Sequence, residues 1–248
     1  MLKLKNKKDI EKIRSSGKIL AETFEIIREQ LKPGITTKDI DCISYNYINK
    51  CKAKPAFKGY MGYPASICIS VNDEVIHGIP SSRILKEGDI VSLDLGVDLD
   101  GYISDAAITL PVGKISEKNK LLIKVTEECL YKGIEMVVIG NRVSDISKAI
   151  FNHAKKHNFG VVRDFCGHGV GFNLHEEPQI PNYIKNGPNP RLKTGMVIAI
   201  EPMINIGGDE IYILDDQWTV KTTDRSYSAH FEHTVAVLEN KAEILTCL

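Results

Sequence analysis

Leu85-Lys-Glu-Gly-Asp-Ile-Val-Ser-Leu-Asp94-Leu-Gly-Val-Asp-Leu-Asp100-Gly-Tyr-Ile-Ser-Asp105-Ala-Ala-Ile-Thr-Leu-Pro111 is the stretch from which the fold can be read. Two apolar runs, Ile90 to Val97 and Tyr102 to Leu110, flank Asp100-Gly101. Glycine after aspartate supplies the positive φ that a tight hairpin turn needs, so the runs read as paired antiparallel strands. Each run carries one carboxylate, Asp94 and Asp105, among Val91, Leu93, Leu95, Ile103, Ala106, Ala107 and Ile108. With Leu99 and Asp100 as the loop, Asp94 falls directly opposite Asp105, on one face, with Cβ atoms roughly 4.5–5.5 Å apart. Two buried carboxylates that close cannot both ionise uncompensated: one holds a proton, or a cation lies between them.

An internal echo extends this reading to the rest of the chain. Leu85 to Asp94 aligns without a gap on Leu192-Lys-Thr-Gly-Met-Val-Ile-Ala-Ile-Glu201, an offset of 107 residues. Gly34…Asp39-Ile40 matches Gly140…Asp145-Ile146 at an offset of 106. Each half then reads as helix, glycine turn, helix, and a strand ending in a carboxylate. A pseudo-twofold relation between the halves brings Asp94 and Glu201 together at the seam. The expected architecture is α/β (α+β), one domain over 1–248 with pseudo-repeats of about 1–115 and 116–248.

Apolar residues at helical spacing from Ile10 to Leu31 predict a long helix closed by Pro33-Gly34, and Asp39 to Lys50 a second. Phe57 to Pro64 is an aromatic, glycine-containing loop leading to a strand over 66–71. Ser116 opens a third helix, and a fourth is expected over 144–157. Long strands are expected over 196–204, 211–220 and 229–238. The 32 basic and 32 acidic residues balance, so nothing global points to nucleic acid or to a membrane surface. Six cysteines are scattered without a C-x-x-C, which argues against a disulfide framework or a zinc finger and favours a reducing cytosol. Neither a signal peptide nor a membrane span is expected.

Glu201 ends one apolar run and Glu232 lies within another, and a buried glutamate is rare unless paired or metal-bound. His168, in Cys166-Gly-His-Gly-Val-Gly171, has glycine neighbours that permit close backbone approach; His175 follows in Leu174-His-Glu-Glu-Pro178. Either histidine alone would read as a turn residue. Together, four carboxylates and an imidazole suit two divalent ions: Asp105 and Glu232 could bridge them, Asp94 could chelate one, and His168 with Glu201 could hold the other. Such donors suit Mn, Fe(II) or Co, with Zn also compatible. Paired ions generate a nucleophilic water at neutral pH. No phosphate-binding loop, H-E-x-x-H or G-x-S-x-G is present.

Asp94, Asp105, His168, Glu201 and Glu232, with His77-Gly-Ile-Pro80, Gly167-His-Gly-Val-Gly171, His175-Glu-Glu-Pro178, Glu201-Pro-Met203 and Glu232-His-Thr234, resemble the type I methionine aminopeptidases over essentially the whole chain. The resemblance implies the pita-bread fold, a duplicated unit of antiparallel sheet flanked by helices around a dinuclear metal site. It implies removal of the initiator methionine from nascent chains whose second residue is small. The short bacterial form is the closer likeness, since neither the eukaryotic N-terminal extension nor the type II insertion is evident.

By that resemblance the metal ligands are Asp94, Asp105, His168, Glu201 and Glu232. Glu201 also shuttles a proton, His175 stabilises the oxyanion, and His77 orients the scissile amide. Tyr60, Tyr63, Cys68 and Trp218 enclose the methionine side chain, although core packing is a competing role for the aromatics. Phe57 replaces a cysteine of many bacterial members and Leu174 an aromatic; both border the pocket and bear on its width. The expected partners are nascent polypeptide N-termini, with transient ribosome contact suited to such a substrate though unsupported by the balanced charge, and the expected form is a monomer. Xaa-Pro peptidases share the five ligands but usually carry a separate N-terminal domain. A non-catalytic relative would usually have lost ligands, and a purely structural protein leaves the carboxylates in apolar strands unexplained.

Overall fold

The structure is a computed structural model that describes residues 2–239 and 241–248. Helix α1 (Lys7–Gln30) begins at Asn6, whose side chain accepts from the amides of Lys8 and Asp9 while Asp9 accepts from the Asn6 amide. This reciprocal cap satisfies donors that the first turn leaves unpaired. Ile10, Ile13, Leu20, Phe24 and Ile27 form its buried stripe. Helix α2 (Thr37–Lys50) is capped in the same way by Thr36 and Asp39, two residues ahead of the predicted start. The short strand β1 (Lys54–Pro55) precedes β2 (Cys68–Val71) and β3 (Glu74–Ile76), and the long hairpin β4 (Ile90–Leu99) and β5 (Tyr102–Pro111) follows. Ser116 caps α3 (Glu117–Glu135), which packs on α4 (Val143–Lys156).

Short strands complete the chain: β6 (Gly160–Val161), β7 (Gly167–Gly169), β8 (Glu176–Ile180), β9 (Val197–Ile200), β10 (Met203–Asn205), β11 (Ile211–Ile213), β12 (Val220–Thr222), β13 (Ser228–His230), β14 (His233–Val237) and β15 (Ala242–Ile244). β4 pairs with β5 on one edge and with β2 and β1 on the other; a second sheet runs β15-β14-β9-β7-β8. Every pairing is antiparallel. One apolar core lies under α1 and α2 and another under α3 and α4, with Ile108 packed against both. This is the pita-bread arrangement that the resemblance implies.

The register of the hairpin corrects the sequence reading. Asp100 and Gly101 both have positive φ, 53° and 82°, so these two form the turn rather than Leu99 and Asp100. Asp94 consequently pairs with Ala107, and Asp105 with Gly96. The slip is two residues, so both carboxylates keep the same face. They are diagonal neighbours, roughly 7 Å apart at Cβ rather than directly opposed, which leaves room for an ion.

Three predicted long strands are also corrected. The first breaks between β9 and β10 at Glu201-Pro202, and the last between β13 and β14 at Phe231-Glu232. Glu201 and Glu232 thus occupy interruptions, because proline lacks the ladder donor and the Glu232 backbone pairs elsewhere. Glu232 N–H donates to Ala107 O (2.8 Å) and Ala107 N–H to Glu232 O (3.3 Å), joining the hairpin to the second sheet. The third is a hairpin, β11 and β12, whose turn holds Trp218. The strand predicted from Ser66 starts at Cys68.

Candidate metal centre and cleft

β4 and β5 deliver Asp94 and Asp105, and the two strand breaks deliver Glu201 and Glu232. His168 is the middle residue of β7. A Cβ on Gly167 would lie 2.3 Å from Ala199 O, and one on Gly169 would lie 2.3 Å from Glu177 O. Glycine on both sides therefore lets β7 slot between β8 and β9 with the imidazole directed at the carboxylates. His168 Nδ1–H donates to Gly169 O (2.9 Å), which fixes the tautomer and leaves Nε2 as a free lone pair. That nitrogen lies 3.5 Å from Glu201 Oε1 and 3.8 Å from Asp105 Oδ2. Donor atoms of Asp105, His168 and Glu232 all fall within 4.8 Å of one another.

The electrostatics of this cluster call for a cation. Burial pushes Asp94 up to about 8, and burial with the charge of Asp94 pushes Glu201 up to about 8. Asp105 and Glu232 rise well above the carboxylate range, through burial first and then through the charge of Asp94 on Asp105 and of Asp105 on Glu232. Burial lowers His168 to about 3, so its contacts with carboxylates are those of a neutral ring rather than an ion pair. Asp94 Oδ1, Asp105 Oδ1 and Glu232 Oε1 are buried with no hydrogen-bond partner among the described residues. Orphaned carboxylate oxygens converging beside an unprotonated imidazole fit divalent transition ions.

The cluster forms the floor of a cavity of about 600 Å³ lined by Phe57, Tyr60, Tyr63, Cys68, His77, Asp94, Asp105, His168, Leu174, His175, Glu201, Trp218 and Glu232. Every residue singled out from the sequence is thereby brought to one place. Phe57, Tyr63, Cys68 and Leu174 form one buried apolar cluster with Trp218 packed against it. Tyr63 and Trp218 meet edge to face at 5.1 Å, and the Tyr63 hydroxyl donates toward the carbonyls of Ile67 and Gly78. Tyr60 is a rim residue whose hydroxyl lies 2.8 Å from His175 Nδ1. The His175 ring lies 4.3 Å from that of His168, centroid to centroid. His77, at φ 59°, rests edge-on against Phe165 and Trp218, and burial lowers it to about 4.

Reading the sequence alone missed two contributors. His230 is buried with both ring nitrogens unpartnered among the described residues, and its Nε2 lies 3.8 Å from Glu201 Oε2. Its place two residues before Glu232 was the available signal. Thr234 Oγ1 donates to Asp105 O (2.7 Å) and accepts from the Asp105 amide (2.9 Å), anchoring that ligand's backbone; the Glu232-His-Thr234 motif contains it but does not disclose this role.

The model of metallopeptidase family M24 matches residues 11–239. A methionine aminopeptidase of Clostridium perfringens is 52% identical over 248 residues, spanning 100% of both chains. The crystal structure of methionine aminopeptidase from Rickettsia prowazekii superposes with a TM-score of 0.97 at 44% identity, covering 99% of this chain and 100% of that one. A prolidase from Pyrococcus furiosus superposes with a TM-score of 0.81 at 26% identity, over 99% of this chain but 65% of its own.

Proposed function

This chain belongs to metallopeptidase family M24, and from that premise we propose that it removes the N-terminal methionine from nascent chains and peptides whose second residue is small. The observation that carries this reading is the junction of an acidic, metal-fitting floor with an apolar slot in one cavity. Likeness to full-length methionine aminopeptidases favours it over Xaa-Pro cleavage.

Asp94, Asp105, His168, Glu201 and Glu232 would hold two divalent ions, with Mn, Fe(II), Co and Zn all compatible with the donors. Ions bound there supply Lewis acidity toward a carbonyl and bring the pKa of a water toward about 7. The slot formed by Phe57, Tyr63, Cys68, Leu174 and Trp218 takes the thioether side chain, for which a polarisable, apolar wall is suited. Glu201 accepts a proton from the attacking water and passes it to the leaving amine, a role that needs a carboxylate within hydrogen-bond reach of that water. With Tyr60 O–H donating to Nδ1, the His175 ring presents Nε2–H to the developing oxyanion. His77, fixed between Phe165 and Trp218, orients the scissile amide. All these groups come from one chain, so a monomer would carry a complete site. Six unpaired cysteines support work in a reducing cytosol, where transient ribosome contact would bring the enzyme to its substrates.

Hydrolysis of Met-Gly-, Met-Ala-, Met-Lys- and Leu-Pro-peptides with added Mn(II) or Co(II), and again with chelator, tests the assignment. Release of methionine from the first two, poor turnover of the others and loss on chelation are expected. Preferential Xaa-Pro cleavage overturns it.

A further inference from the structure

Two histidines outside the cleft, His153 and His157, face a glutamate on the neighbouring helix. His153 is on α4, and His157, four residues later, caps its C-terminal end. Residues four apart share one helix face, and the two rings meet with centroids 5.3 Å apart. Glu128, on α3, places Oε2 2.8 Å from His153 Nε2. All three side chains are half-buried, and one donor atom from each falls within 4.8 Å of the other two. None of them lines the catalytic cavity.

We infer that Glu128, His153 and His157 form a second, separate metal site, selective for a borderline divalent ion of the zinc type, which braces α3 against α4. Two imidazoles and one carboxylate are a donor set that zinc accepts in tetrahedral sites, with water at the fourth position. Donors on such an ion, at bonds of about 2.0–2.2 Å, are roughly 3.3–3.6 Å apart. The 2.8 Å Glu128–His153 pair needs only a small separation, and His157, whose donor atom lies within 4.8 Å of the other two, closes by at most about 1.5 Å. Lys124 Nζ lies 3.8 Å from Glu128 Oε1, so it neutralises one carboxylate oxygen and leaves Oε2 directed at the imidazoles. Oxygen-preferring ions such as Mg²⁺ and Ca²⁺ have a single carboxylate here, too few hard ligands, whereas nitrogen donors favour Zn²⁺, Ni²⁺ and Cu²⁺. The alternative is a plain interhelical hydrogen bond from His153 to Glu128, with His157 as a cap that favours the helix dipole.

Untagged full-length protein and a His153→Gln/His157→Gln variant are equilibrated with zinc chloride, freed of loose ion by gel filtration and assayed for bound zinc. Ions in the cleft count equally in both proteins, so the difference isolates the second site. One more zinc per chain in the wild type is expected, with retention on a nickel column that the variant lacks. With zinc at a hundredfold excess over its dissociation constant, the wild-type Tm should rise by roughly 5–10 °C more than that of the variant. Aminopeptidase activity reports folding of the variant, and His157→Ala alone replaces it if activity is lost. Equal zinc content in the two active proteins overturns the site and leaves a hydrogen-bonded helix pair.

Discussion

Lys5 Nζ lies 2.5 Å from Glu176 Oε2, and both side chains are almost wholly buried beneath the turn that presents His175. Glu176 Oε1 accepts from the amides of Phe172 and Asn173, so one carboxylate ties the segment before α1 to the loop that ends in His175. Burial lowers the Lys5 pKa despite the opposing pull of Glu176. The pair is thus a device for fixing geometry rather than a source of net stability. Lys5→Met leaves a buried charge unpaired and should destabilise the fold by about 3–5 kcal/mol in urea unfolding. The double variant Lys5→Met/Glu176→Met should recover part of that loss. In both, kcat falls more than KM rises, because His175 loses its fixed placement.

Glu201→Gln keeps the shape of the side chain and removes its proton-accepting capacity. Turnover should drop by roughly 10²–10⁴-fold, with weaker binding at one metal position measured by calorimetric titration. Near-normal turnover would transfer the shuttle to another group.

His175→Ala should lower kcat by roughly 10²–10³-fold with little change in KM, as expected for a donor whose partner charge develops in the transition state. Tyr60→Phe, which removes the hydroxyl 2.8 Å from His175 Nδ1, should lower kcat in the same direction but by less. Steady-state kinetics on a Met-Ala-peptide decides both.

Metal-free protein has a predictable pH dependence of stability. The folded pKa values of Asp94 and Glu201, about 8, exceed those of the unfolded chain, so between roughly pH 4 and 8 the folded state binds more protons and stability falls as pH rises. Buried His77, His168, His230 and His233, lowered to about 4, 3, 3 and 4, oppose this trend until the unfolded imidazoles have lost their protons, at roughly pH 7.5. From pH 6.5 to 8 that opposition fades while the carboxylates still titrate, and Tm of the chelated protein should fall across that window. With Mn(II) or Co(II) bound to ionised ligands, the fall should disappear.

Gly96 pairs with Asp105, and a Cβ there would lie 2.8 Å from Phe57 Cε1. Gly96→Ala should push the Phe57 ring into the cavity, at about 1–3 kcal/mol of overpacking. A raised KM for Met-Gly-peptides is expected, with Phe57→Cys in the same chain restoring it.

Much of this was legible in the chain, for a physical reason. Charges inside apolar runs are rare, so Asp94, Asp105, Glu201 and Glu232 announced themselves, and a period of two kept the aspartates on one face through a wrong register. The breaks at Glu201-Pro202 and Phe231-Glu232 were hidden because apolar vocabulary is the same on both sides of each interruption. His230 was hidden because its value lies in what surrounds it: a buried ring without partners is a tertiary fact. Thr234 sits in a motif legible in the chain, but its grip on the Asp105 backbone across the seam is a tertiary contact that no local pattern discloses.

The reciprocal hydrogen bonds between Ala107 and Glu232 reach further than architecture. Asp94 and Asp105 precede them in the chain, while His168, Glu201 and Glu232 all come from the part after α3. A polypeptide severed between Pro111 and Glu117 yields two pieces, each with an incomplete set of donors, so neither piece hydrolyses anything until they dock. Recovery of peptidase activity on mixing the fragments would then be a direct gauge of how well the two surfaces recognise each other.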